Sequence, residues 1–162
     1  MMFSKKMAMH ALRKWRVAQV FIDVYFQALL PENLHLLIAV PESFFDADDF
    51  GLDEQADRLV PILQVGSEKT VLFDDPERNK LVLISVDGPE VRETFFSWQQ
   101  FLSHFLLTLL ENGFDEARTK RIATLIEANY PNEVIAFWNH SRILPSHDWT
   151  SLRQQFVRSI SW

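Results

Sequence analysis

From Lys5 to Leu29, apolar side chains return at steps of three and four: Leu12, Trp15, Ala18, Ile22, Tyr25 and Leu29. That spacing predicts one amphipathic helix, which Pro31 ends because a proline disfavours helical backbone in the residue before it. Between Pro31 and Pro41 the run LHLLIAV, Leu34 to Val40, is short for a helix and predicts a strand. RLVPILQVG predicts another strand, whose Pro61 has no N–H for a ladder and so belongs at an edge or a bulge. TVLFD and KLVLISVD predict an antiparallel hairpin closed by DPERN. Their apolar residues are consecutive instead of alternating, which implies a sheet covered on both faces.

After residue 96 the period changes. Ser97 with Gln100 three places later fits a capping box, and Trp98, Phe101, Leu102, Phe105, Leu106 and Leu109 form one apolar stripe. Glu111-Asn112-Gly113 closes that helix with a glycine. Further helices are expected from Asp115 to Asn129, after Pro131, and after Asp148, the last with Trp149, Leu152, Phe156 and Ile160 on one face. The order predicts an α+β fold: a small, mainly antiparallel sheet of four to six strands flanked by helices, with a helical C-terminal part. A single domain over residues 1–162 is the expectation for this length.

Composition narrows the class. An apolar fraction of 48%, with 14 Phe and 5 Trp, is enough to offset the entropy of ordering, so the chain is not intrinsically disordered. The absence of cysteine removes disulfides, thiolate nucleophiles and Cys-based zinc sites, and a cytoplasmic location is expected. The N-terminal stretch lacks the apolar core of a signal peptide. The longest charge-free run, Phe95 to Leu110, is broken by Ser, Gln and His and falls short of the ~20 apolar residues that span a bilayer, so no membrane segment is expected.

Charge is unevenly spread. The net charge is −6, yet residues 1–30 carry +4 and residues 31–60 carry −7. An acidic belt thus follows a basic segment, and the two either face each other or each face a partner. The overall sign disfavours nucleic acid and anionic lipid and favours a basic protein surface. The candidate partner-binding acids are Asp46, Asp48, Asp49, Asp53 and Glu54, with Asp74, Asp75 and Glu77 at the hairpin tip as a second outward patch. Lys5, Lys6, Arg13, Lys14 and Arg16 around Trp15 read as a solvated helix face or an internal match for the acids, ahead of a nucleic-acid patch.

Catalytic signatures are missing. Asp46, Asp48 and Gly51 fall at the first, third and sixth places of a calcium-loop spacing, but Phe50 occupies the fifth, ligand-bearing place, and Asp57 stands where a bidentate Glu is needed. Ser146-His147-Asp148 has the residue types of a hydrolase, yet a triad needs side chains converging from separated positions, and Asp148 reads better as a helix cap. There is no G-x-S-x-G elbow, H-E-x-x-H pair or glycine-rich phosphate loop. The five histidines, at 10, 35, 104, 140 and 147, lack metal-ligand spacing, and His104 reads as a half-buried packing residue. The expectation is a non-enzyme with no cofactor and no metal.

The block from Leu59 to Gly113 resembles the SUKH superfamily, bacterial immunity proteins that include the cell-wall-synthesis regulator family from yeast. The likeness lies in "RLVPILQVGSEKTVLFDDPERNKLVLISVD", an opening strand and a hairpin with an acidic turn. "FFSWQQFLSHFLLTLLENG" follows and looks like the family's Phe-rich "sFeeFL" helix; together they cover about a third of the chain. The resemblance implies an α+β fold without catalytic residues and a role in neutralising a basic toxin domain by direct binding. Two other classes stay open: a secretion-chaperone-like protein that dimerises and holds an effector, and a small hydrolase using Ser146, His147 or His140. Oligomeric state is open as well.

Overall fold

The computed structural model describes residues 4–26, 29–41, 58–66, 70–85, 92–145 and 148–160. The chain forms two compact units, Met1–Phe96 and Ser97–Trp162. The first contains α1 (Lys5–Lys14), α2 (Gln19–Asp23), 3-10 stretches at Val24–Phe26 and Pro31–Leu36, and five strands: β1 (Ile38–Ala39), β2 (Val60–Val65), β3 (Thr70–Asp75), β4 (Lys80–Ser85) and β5 (Arg92–Phe95). All pairings are antiparallel, and the sheet order is β1-β2-β3-β4-β5. The fold is therefore α+β, with a helical C-terminal part.

Ser4 caps α1, its hydroxyl accepting from the Met7 N–H at 3.3 Å, and the helix buries Ala8, Met9, Ala11 and Leu12 as it packs on β2. The single helix expected from Lys5 to Leu29 is not formed. After Trp15 the chain takes a Schellman closure: Val17 N–H donates to the Leu12 carbonyl at 3.3 Å and Arg16 N–H to the Arg13 carbonyl at 3.0 Å. Arg16 accordingly sits in the left-handed region at φ 53°. Apolar spacing persists across this break because α2 resumes a helical course, so periodicity alone does not register it.

The expected strand from Leu34 to Val40 shrinks to Ile38–Ala39, paired with Val65 and Gln64. Its first half coils into the Pro31–Leu36 stretch, where Glu32 and Asn33 stand at φ 55° and 57°. The β2–β3 register shifts between Pro61 and Leu63, which puts Pro61 at a bulge, one of the two places its sequence allowed. At the bulge the Tyr25 hydroxyl donates to the Ile62 carbonyl. Burial pushes the Tyr25 phenol well above its ordinary value, so it stays a donor at any physiological pH. Val71, Leu72 and Phe73 on β3 and Leu81 to Ile84 on β4 are buried without alternation, so both sheet faces are shielded there. β5 was not legible as a strand, since Arg92-Glu93-Thr94 has no apolar pattern.

The second unit contains α3 (Trp98–Glu111), α4 (Glu116–Leu125), α5 (Pro131–Ser141) and α6 (Trp149–Ser159). α4, α5 and α6 all pack on α3, eleven of whose fourteen residues are buried, so the one-stripe reading was too narrow. Ser97 Oγ accepts from Gln100 N–H at 3.1 Å and Asp115 Oδ1 from Arg118 N–H at 2.7 Å, as their capping patterns required. Asp148 takes the N-cap position of α6 without a capping hydrogen bond from its side chain. α4 stops at Leu125, short of Asn129, through a second Schellman closure with Glu127 at φ 57°. Among the described residues no helix is long and apolar enough to cross a membrane.

Two helix ends give a matched test. α3 closes on Gly113 at φ 87° and α4 on Glu127, the same left-handed position with and without a side chain. A Cβ at Gly113 would meet nothing within 4 Å, so Gly113→Ala isolates backbone strain and should cost about 1 kcal/mol. Glu127→Gly should range from neutral to about 1 kcal/mol stabilising, as relief of that strain competes with the entropy of an added glycine. Urea unfolding of both variants measures this; a Glu127→Gly chain less stable than Gly113→Ala would contradict the account.

Candidate functional site

In the first unit the chemistry gathers at the turn end of the β3–β4 hairpin. β3 ends in Asp74 and Asp75, which as neighbours on a strand point to opposite faces. On one face, Asp74 Oδ1 accepts from the Trp15 indole Nε1 at 2.7 Å and lies 3.2 Å from Lys14 Nζ. Lys14 Nζ also stands 5.0 Å from the Trp15 ring centroid, so the cation, the indole and the carboxylate form one compact cluster. On the other, Asp75 Oδ1 accepts from Arg78 N–H at 3.2 Å, closing the turn, and Oδ2 lies 3.4 Å from Arg58 Nη2. That last contact is an ion pair off the hydrogen-bonding line, since Oδ2 has no partner of hydrogen-bond geometry. Arg58 Nη1 also lies 3.7 Å from Glu77 Oε2.

This corrects the outward placement expected of the hairpin acids. Asp74 is 3% exposed and Asp75 is 0% exposed, while Glu77 alone of the three faces water. Burying a carboxylate is tolerated only when it is paired and hydrogen-bonded. Lys14 and Arg58 supply the charge, so the basic helix and the hairpin acids face each other. The signal was present in TVLFDD: a run covered on both faces continues into two acids, which are then covered too. Asp46, Asp48, Asp49, Asp53 and Glu54 lie outside the described residues.

The second unit has a polar seam along α3. Gln100, His104, Thr108 and Glu111 recur at helical spacing, and α6 meets each of them. Gln100 Nε2 donates to the Ile160 carbonyl at 3.3 Å. Arg153 Nη2 donates to Thr108 Oγ1 at 2.6 Å and to the His104 carbonyl at 3.2 Å. Glu111 Oε1 accepts from Trp149 Nε1 at 2.8 Å and stands 3.3 Å from Arg153 Nε. Outside the seam, Phe137 stacks between Trp149 at 5.6 Å and Phe156 at 4.2 Å, tying α5 to α6.

His104 is buried, not half-buried as expected. Burial first, and the Arg153 charge second, hold its pKa well below the ordinary value, so its imidazole is neutral at physiological pH. A side chain this enclosed serves packing and not proton exchange with a substrate. Among the described residues no three His, Asp or Glu converge as metal ligands. The α5–α6 turn borders a shallow cleft of about 390 Å³ lined by Leu144, Pro145, Asp148, Ser151, Leu152 and Gln155. Ser146 and His147 of the hydrolase reading lie outside the described residues, and His140 is exposed at the last turn of α5. No protein-family model, curated protein or solved structure matches the chain.

Both clusters make measurable predictions. A double-mutant cycle between Asp74→Ala and Trp15→Phe should give a coupling of about 1.5–3 kcal/mol, as for a hydrogen bond to a charged group. The cycle with Lys14→Ala should give only about 0.5–1 kcal/mol, because that side chain is a third exposed and screened. Equal couplings, or none, would refute this ranking.

His104 sets a pH dependence. Its folded pKa is depressed, so the unfolded chain binds the extra proton below the ordinary value of about 6.5. Its contribution is complete above that value and is lost as pH falls toward the folded pKa, with a slope of at most about 1.4 kcal/mol per pH unit. Unfolding free energies at pH 7 and pH 5.5 should converge in His104→Gln relative to wild type. An unchanged pH slope in the variant would remove His104 as its source.

Proposed function

We propose that the chain is a non-catalytic protein-binding domain of the immunity type, neutralising a basic toxin domain by covering it. One observation carries the reading: among the described residues the buried Asp74, Asp75 and His104, and the half-buried Arg153, lie where elements are held together. Function is left to the surface. The net −7 of residues 31–60 makes Asp46, Asp48, Asp49, Asp53 and Glu54 the contact carboxylates, while Asp74 and Asp75 are withdrawn from that role by burial. The SUKH resemblance supports the same class, and a cysteine-free chain suits a cytoplasmic setting.

Exposed charges steer encounter more than they add affinity. With the toxin domain recovered by pull-down from the source cell, Asp46→Lys/Asp48→Lys/Asp49→Lys should slow association about tenfold at low salt and flatten its salt dependence, with Tm unchanged. An association rate indifferent to both the substitutions and the salt would exclude the acidic belt from the mechanism. A dimer in light scattering that holds an unfolded segment would favour the chaperone class.

A further inference from the structure

The helices of the second unit are not all held alike. α4 and α5 each bury three residues, two of them apolar, and both pack on α3. α6 is as long as α5 yet buries one, Val157, with Ile160 added at its C-terminal cap. Its largest side chains, Trp149 and Phe156, stack on Phe137 of α5, and all three rings are half-buried.

On α3, α6 meets polar groups along its length. Arg153 reaches three of the four: it donates to the His104 carbonyl and to Thr108 Oγ1, and its charge faces Glu111. The fourth, Gln100, donates to the Arg158 carbonyl at 3.5 Å and the Ile160 carbonyl at 3.3 Å, answering the last turn of α6. Hydrogen bonds of this kind are exchanged for bonds to water at small net loss, whereas apolar contacts have no such substitute. An element with little buried apolar surface and bonds that water can replace opens below the free energy of global unfolding.

We infer that α6 is a latch: it parts from α3 as one piece while α4 and α5 stay docked, with Arg153 as the catch. Arg153 has that role because hydrogen bonds from a charged donor are the stronger ones, and this guanidinium ties two turns of α3. Parting turns Gln100, Thr108 and Glu111 to water. It also uncovers Val157, which shares a helical stripe with Arg153 and Ile160, both bonded to α3. The Phe137 stack breaks as well, but its rings already stand partly in water. The unit thus has a docked and a parted state that differ in one helix. Nothing in this latch depends on toxin binding.

The chain has no cysteine, so one introduced thiol reports one position. Val157→Cys on α6 and Ala123→Cys on α4 each place it at a buried site of the full chain, and iodoacetamide labelling is followed by mass spectrometry across a urea series. The Val157→Cys chain should react well below the unfolding transition at a rate that hardly depends on urea, because a small opening exposes little surface. The Ala123→Cys chain should react only in step with global unfolding. Arg153→Met should raise the Val157→Cys rate at least about tenfold, as for the loss of hydrogen bonds from a charged group. Ile122→Val, on a helix that stays docked, should raise the Ala123→Cys rate about two- to tenfold and leave Val157→Cys unchanged. Both chains reacting only across the transition, Ile122→Val raising both rates alike, or Arg153→Met leaving the Val157→Cys rate where it was would each overturn the latch. Amide exchange of the unsubstituted chain is a second measurement that stands even where a variant fails to fold: residues 149–159 must lose protection ahead of α3 and α4, and equal protection overturns the proposal.

Discussion

A carboxylate shut away from water must keep its charge answered, and Asp74 imposes that condition on the first half of the chain. Both of its donors act on one oxygen and come from adjacent residues, Lys14 and Trp15, at the end of α1. The helix therefore has to finish where the indole and the ammonium reach the hairpin, while its own buried face stays on β2. Continuing as one rod to Leu29 would carry the chain away from the sheet. The left-handed turn at Arg16 is how the backbone meets both demands, and a residue other than glycine accepts that conformation because the closure satisfies two carbonyls at once.

The course of the chain beyond Arg16 depends on that turn. α2 brings Tyr25 to the β2 bulge, where its hydroxyl answers the Ile62 carbonyl. Pro61 causes the need: it has no N–H for the ladder, the register slips, and a buried carbonyl is left that water cannot reach. One irregularity in the sheet is thus matched by one side chain from the helical layer. The second unit uses the same logic differently. Val157 is the fully buried apolar residue of α6, and Arg153 adds bonds to Thr108 and the His104 carbonyl while Glu111 balances its charge.

The sequence was most legible where one local rule decides the outcome. Ser97, Asp115, Pro131 and Gly113 mark helix ends through their own backbone preferences, and each does what it predicts. The hairpin was legible because DPERN separates two apolar runs. Arg16, Glu32, Asn33 and Glu127 were not legible, since their left-handed backbone is set by tertiary demands on residue types that do not ask for it. The hairpin acids were misplaced for a related reason. Charge counting by segment treats every carboxylate as solvated, whereas Asp74 and Lys14 lie sixty positions apart in sequence and meet only in the fold. His104 shows the same limit, because burial depends on how many helices surround α3 and not on its own spacing.

The pairing inside the fold also changes the charge the surface presents. Lys14 and Arg58 cancel Asp74 and Asp75 at the turn end of the hairpin, so these four charges contribute little to the field beyond the surface. Lys5 stands over the Phe26 ring, whereas Lys6, Arg13 and Arg16 are exposed. The charge left in water on the N-terminal segment is therefore more basic than a count of the whole chain suggests. The Asp74 contact thus does two things at once: it ends α1 where Lys14 and Trp15 reach the hairpin, and it takes a lysine and a carboxylate out of the surface charge.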